Sequence, residues 1–196
     1  MDKSIKIFVP ASSANLGAGF DVVGACLDIW NEIKIKEEKF SIDIEGYGSK
    51  SISKNKDNLI YNSYLKTSEI HGFKEKEISI KCNNSIPISG GLGSSSSAVI
   101  AGIYAAYAIN KIEINTDDIF QIASDIESHP DNVGPAIFGG ITIGFNDLEK
   151  WFISSVSYNK NLKFISFVSD QKVLTNESRK ALPKEILRKD AVYNIS

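Results

Sequence analysis

Pro87-Ile88-Ser89-Gly90-Gly91-Leu92-Gly93-Ser94-Ser95-Ser96-Ser97-Ala98 is the stretch on which the reading of this chain turns. Its glycines and serines separate an alternating segment, Ile78, Ile80 and Cys82, from a long apolar one, Val99 to Ile109. That order predicts strand, tight loop, helix. Glycine lets a backbone take positive φ and come close to a ligand. Serines in a first helical turn cap orphan N–H groups and offer hydroxyls to an anion or a metal. Free donors and partial positive charge gather at a helix start, so the loop is built like a phosphate cradle. On composition alone, a serine-rich turn that merely caps a buried helix fits as well. A Walker loop is excluded because no Gly-Lys-Ser/Thr follows the glycines. A dinucleotide fingerprint is excluded too, since the third glycine and the acidic partner are missing.

Working outward, the flanks read as alternating strands and amphipathic helices. Ile5, Ile7 and Val9 predict a first strand ending at Pro10, followed by the polar loop Ala11 to Asp21. Asn15 and Asp21 are its only side chains suited to orienting a polar substrate, although a turn in which they satisfy local backbone is the plainer reading. Val22 to Ile29 is apolar and short, and Ile33/Ile35 and Ile42/Ile44 predict half-buried antiparallel strands. A loop over 46–56 and a helix from Asp57 to Gly72 lead back to the strand before the glycines. The segment after them is apolar nearly all round, as in a core helix. Thr116 is the expected cap of a further helix that stops at Pro130. Around that stop stand Asp125, Glu127, His129 and Asp131, a concentration of titratable groups that favours a polar site over plain surface. Ile141 to Phe145, Trp151 to Val156 and Leu162 to Val168 are strand candidates, and Thr175 to Leu182, carrying Arg179, is a helix start.

The 196 residues are 42% hydrophobic and 23% charged, enough apolar content for a real core. A net charge of −2 gives no electrostatic reason to expect nucleic acid or a membrane surface as partner. Cys26 and Cys82 stand far apart without a histidine pattern, which argues against a disulfide or zinc framework. With no leader-like or spanning apolar run, the expected setting is the reducing cytoplasm.

Three stretches, in this order, resemble the GHMP kinases and, within them, the homoserine kinase branch. They are Val9-Pro10-Ala11-Ser12-Ser13-Ala14-Asn15-Leu16-Gly17-Ala18-Gly19-Phe20-Asp21, then Pro87 to Ala98, then Glu127-Ser128-His129-Pro130-Asp131-Asn132-Val133 with Gly139-Gly140. Thr175-x-x-x-Arg179 before Leu182-Pro183 is similar to a later family segment. The resemblance implies an α+β fold. Residues 1–160 would form a ribosomal protein S5 domain 2-like, ATP-binding domain of the GHMP kinase fold. Residues 161–196 would be only the start of its ferredoxin-like C-terminal domain. It also implies transfer of the γ-phosphoryl group of ATP to the side-chain hydroxyl of L-homoserine, with Mg²⁺.

Residue by residue, Pro87, Ile88, Ser89, Gly90, Gly91, Leu92, Gly93, Ser94, Ser95, Ser96 and Ser97 would wrap the triphosphate. Ser95 and Glu127 would hold Mg²⁺, and Asn15, Asp21, His129, Asp131 and Arg179 would hold the amino acid. Asp131 is the implied base, in a site working mostly by positioning and charge stabilisation. Ala18 stands where the pattern usually has Pro, Ser128 where it often has Gly, and Ser96 and Ser97 where it has small alanines. The pattern also continues past residue 196 to a third glycine-rich motif. A shortened chain is therefore expected, with apolar surface that favours a homodimer or poor solubility. Another small-molecule GHMP kinase and a catalytically silent nucleotide-binding module remain as alternatives.

Overall fold

The computed structural model describes residues 4–159, 161–168, 180, 182–183 and 185–196. One mixed sheet carries the helices. Its strands are β1 (Ile5–Ser13), β2 (Val23–Glu37), β3 (Ser41–Gly46), β4 (Ile78–Asn84), β5 (Ile141–Asn146) and β6 (Trp151–Val156). The helices are α1 (Leu59–His71), α2 (Ser94–Asn110), α3 (Thr116–Glu127), the short α4 (Val133–Phe138) and α5 (Arg188–Ile195).

The organising strand is β2. The short apolar run Val22 to Ile29, from Val23 on, and the alternating run of Ile33 and Ile35 fall in one strand of 15 residues. It takes β1 antiparallel along its length, and β4 and β5 antiparallel at its two ends, in the order β3-β4-β2-β5-β6. The first strand also runs past Pro10 to Ser13, with a shift of register between Pro10 and Ala11. A bulge is where a sheet accommodates proline, so the turn expected at residue 10 is only a kink.

β3 differs from the expected antiparallel strand. It pairs in parallel with β4, joined to it by α1 as a crossover. A segment that long permits a parallel return, which a hairpin cannot make.

α2 lies at the centre of the core: Val99, Ile100, Ala101, Ile103, Ala105 and Ala106 are each no more than 1% exposed. Its face meets α1 at Gly102, where a Cβ would stand 2.3 Å from the Ile60 carbonyl oxygen. Asn58 caps α1 through Ile60 N–H, and Asn115 rather than Thr116 caps α3. The amide of Asn115 reaches Asp118 N–H, which leaves Thr116 as the first helical residue. Leu162 to Val168 forms no strand. The segment is exposed, and among the described residues it pairs with no strand. Of the helix start expected from Thr175 to Leu182, residues 175–179 and 181 lie outside the described residues. None of the described helices is long and apolar enough to cross a membrane.

Candidate functional site

The loop before α2 lies on the wall of a crevice of about 1080 Å³. Both ends of the loop are pinned. Ile86 and Leu92 are buried against Ala11, and Asn31, 4% exposed, ties the entrance to the helix. Asn31 Oδ1 accepts from the N–H groups of Ser85 (2.8 Å) and Ile86 (3.0 Å). Its amide donates to Ser97 Oγ at 3.2 Å. Between those anchors Ser89, Gly91 and Gly93 all take left-handed φ. Alternating hands turn successive backbone N–H groups to one side, the geometry of an anion nest.

The serines do not cap α2 as expected. Gly93 is the N-cap and no side chain caps the helix. The hydroxyls go elsewhere: Ser95 and Ser96 donate to Glu127 Oε2, at 3.0 and 2.6 Å, and Ser97 meets Asn31. The first-turn N–H groups of α2 have no i−4 carbonyl of their own, so the helix presents donors and positive potential at the crevice.

The turn after α3 supplies the opposite wall. Ser128 reverses the chain with φ 66°, and its N–H closes on the Ser124 carbonyl at 2.7 Å. Asp131, 1% exposed, accepts at Oδ1 from Asn132 N–H (2.8 Å) and lies 2.6 Å from His129 Nδ1. An ionised carboxylate buried this deeply needs such partners. Asn132 in turn accepts from Ser12 Oγ at 2.9 Å. Gly93 makes this junction possible, because a Cβ there would lie 2.2 Å from Ser12 Oγ. The end of β1, the glycine loop and the turn after α3 thus meet at Ser12, Gly93 and Asn132.

Asp125 does not join the crevice; it accepts from the Trp151 indole at 2.7 Å. Asn15 lines the crevice, with His129, Asp131, Glu127 and the residues of the loop except Ser96, which is buried behind the wall. In the 11–21 turn, Asn15 Oδ1 accepts from Asp21 N–H at 2.8 Å, both residues having left-handed φ. The plainer, local reading of that pair is therefore part of the structure. Asp21 is not among the lining residues, and Arg179 lies outside the described residues, although its neighbour Lys180 lines the crevice.

Asn31 and Asn84 were not singled out by sequence. Asn31 shares the inward phase of Ile33 and Ile35, and a polar residue in that phase demands buried partners. Asn84 accepts from the Cys82 thiol at 2.7 Å, while burial pushes that thiol up to about 12. The crevice lining also includes the apolar Ile33, Ile44 and Ile52 and the thiol of Cys82, beside Asn31, Asn58 and Asn84.

Ser95 Oγ and the Glu127 carboxylate form an all-oxygen set suited to a hard cation that completes its shell with water and phosphate oxygens. The arrangement can therefore hold a polyanion on backbone donors, with a cation beside it and a polar group opposite.

Residues 58–140 match the model of the GHMP kinases N terminal domain. The chain is 41% identical to the homoserine kinase of Clostridium acetobutylicum over 194 residues, covering 98% of this chain and 65% of that protein. It is 36% identical to the homoserine kinase of Aquifex aeolicus, with 97% and 64% covered. It spans about two thirds of the length of these curated relatives, falling slightly short of that share. Among solved structures, a homoserine kinase from Cytophaga hutchinsonii superposes with a TM-score of 0.81 at 26% identity, over 99% of this chain and 64% of that one. The mevalonate kinase of Methanococcus jannaschii gives a TM-score of 0.62 at 19% identity, over 80% and 57%, a likeness of fold. Residues 58–140 thus match the N-terminal domain of the GHMP kinases, and the chain is similar to homoserine kinases along nearly all its length.

Proposed function

We propose that this chain carries the nucleotide-binding and much of the substrate-binding part of an ATP:L-homoserine phosphotransferase. The observation that carries the reading is the junction of three motifs on one crevice, with Ser12 bonded to Asn132 across 120 positions of sequence beside the glycine loop. The names of the relatives that span the whole chain select the substrate.

Backbone donors from Ser89 to Ser95 hold the triphosphate, and the apolar part of the lining receives the base. Ser95 and Glu127 hold Mg²⁺, which when bound neutralises charge on the phosphate oxygens. Asn15 and His129, which line the crevice, orient the amino acid, with Arg179 pairing its carboxylate and Asp21 reaching its ammonium group from the adjoining turn. The substrate hydroxyl oxygen forms a bond to the γ-phosphorus as the bond to the bridging oxygen of ADP breaks. Asp131, buried against His129, is the acceptor for the hydroxyl proton. Little acid–base work is required of it, because phosphoryl transfer is driven mainly by alignment and charge stabilisation.

The test is ADP release from Mg·ATP with and without L-homoserine, run beside mevalonate and galactose, on this chain and on one extended to the length of its relatives. Homoserine-dependent release is the expected result. ATP binding without such release from either chain would overturn the assignment and leave a silent nucleotide-binding module. Release with another alcohol alone would move the chain to a different branch of the family.

A further inference from the structure

We infer that Ser96 is a positioning residue that holds Glu127 in place for a divalent cation. The inference rests on the kinase reading and concerns a hydroxyl that touches neither nucleotide nor cation in it.

Two serines reach the same carboxylate oxygen, but their settings differ. Ser95 is exposed and lines the crevice, whereas Ser96 is wholly buried and does not. The buried bond is the shorter, 2.6 against 3.0 Å. Both go to Oε2 and neither to Oε1. When Ser95 gives its lone pair to a cation, Ser96 remains to fix the carboxylate, with Oε1 presented to the ion.

Glu127 needs such a holder. It is the last residue of α3, where the helix's own dipole repels a carboxylate, and its long side chain loses rotamer freedom when fixed. Ser96, in the first turn of α2, brings both a donor and the positive end of a second helix. A partner that orients a metal-binding carboxylate in this way typically sets affinity by an order of magnitude.

The experiment measures Mn²⁺ binding by electron paramagnetic resonance, with a non-hydrolysable ATP analogue, on the 196-residue chain and on Ser96→Ala and Ser96→Cys. Both replacements fit the volume of serine, and alanine favours a helix, so the fold is retained. The expected result is a roughly tenfold weaker Mn²⁺ constant in both variants. Affinity for the analogue without metal should not change. A general loss of structure would move both quantities together. Unchanged Mn²⁺ affinity in either folded variant overturns the role of Ser96 and leaves the kinase reading standing. Absence of nucleotide-dependent Mn²⁺ binding in the unaltered chain overturns both.

Discussion

The turn over residues 14–21 and the turn over residues 127–132 flank the same crevice but are held in different ways. The first is closed from within: Asn15 accepts from Asp21 N–H six residues on, in an exposed bond. The second is held by distant partners. Glu127 is bonded to Ser95 and Ser96, and Asn132 to Ser12, across 31 to 120 positions. Asn and Asp tolerate left-handed φ, so local chemistry favours the shape of the first turn. The second adds to its local bonds long-range ones that form only once strands and helices have assembled. The two walls of the crevice should therefore answer very differently to substitution.

The largest effect is expected at Gly24. This β2 residue faces the second turn, where an added Cβ would stand 1.7 Å from the Asp131 carbonyl oxygen, a backbone atom that cannot swing aside. Gly24→Ala should cost about 3 kcal/mol in urea denaturation, and an unshifted midpoint would show that the second turn is not rigidly docked. Next comes Ser12→Ala, which leaves a part-buried amide oxygen of Asn132 unpaired and should cost about 1–2 kcal/mol. A double-mutant cycle with Asn132→Ala sharpens this. Strict additivity would deny that the motifs are coupled. The smallest is Asn15→Gly, which removes one exposed bond while keeping a residue at ease with positive φ. Its stability change should stay within about 0.5 kcal/mol. A larger loss would erase the contrast between the turns.

What was legible in sequence follows the same division. Alternation of isoleucines placed the strands, and the glycine–serine run placed the start of α2, because both are local signals. The parallel pairing of β3 with β4 was not readable, since alternation reports which face is buried and not which neighbour is chosen. Neither was α4, short and holding Gly134 and Pro135, which carry no helical period. Asn115 rather than Thr116 as cap is a matter of one residue, and both types favour that position. At the candidate site Asn15, Glu127, His129, Asp131 and the glycine–serine loop, all named from sequence, line the crevice apart from Ser96; Asp21, also named, does not, and Asn31 and Asn84, which do, were not named. Asn31, Gly24 and the hydroxyl of Ser96 act through partners remote in sequence. Glu127 and Asp125 were separated by their order before His129, and the structure gives the physical distinction: one faces two serines, the other an indole.

The unpaired segment Leu162-Lys163-Phe164-Ile165-Ser166-Phe167-Val168 has a bearing on colloidal behaviour. Ile165 is 80% and Phe167 95% exposed, in a β-prone run without proline and with a single charge. Such a run adds readily to any open strand edge, including that of its own copies, and seeds stacked assemblies. This run, whose last residue Val168 packs beside Gly90 of the glycine loop, lowers the concentration at which the polypeptide stays clear in solution, and a lysine placed at residue 165 or 167 would raise it.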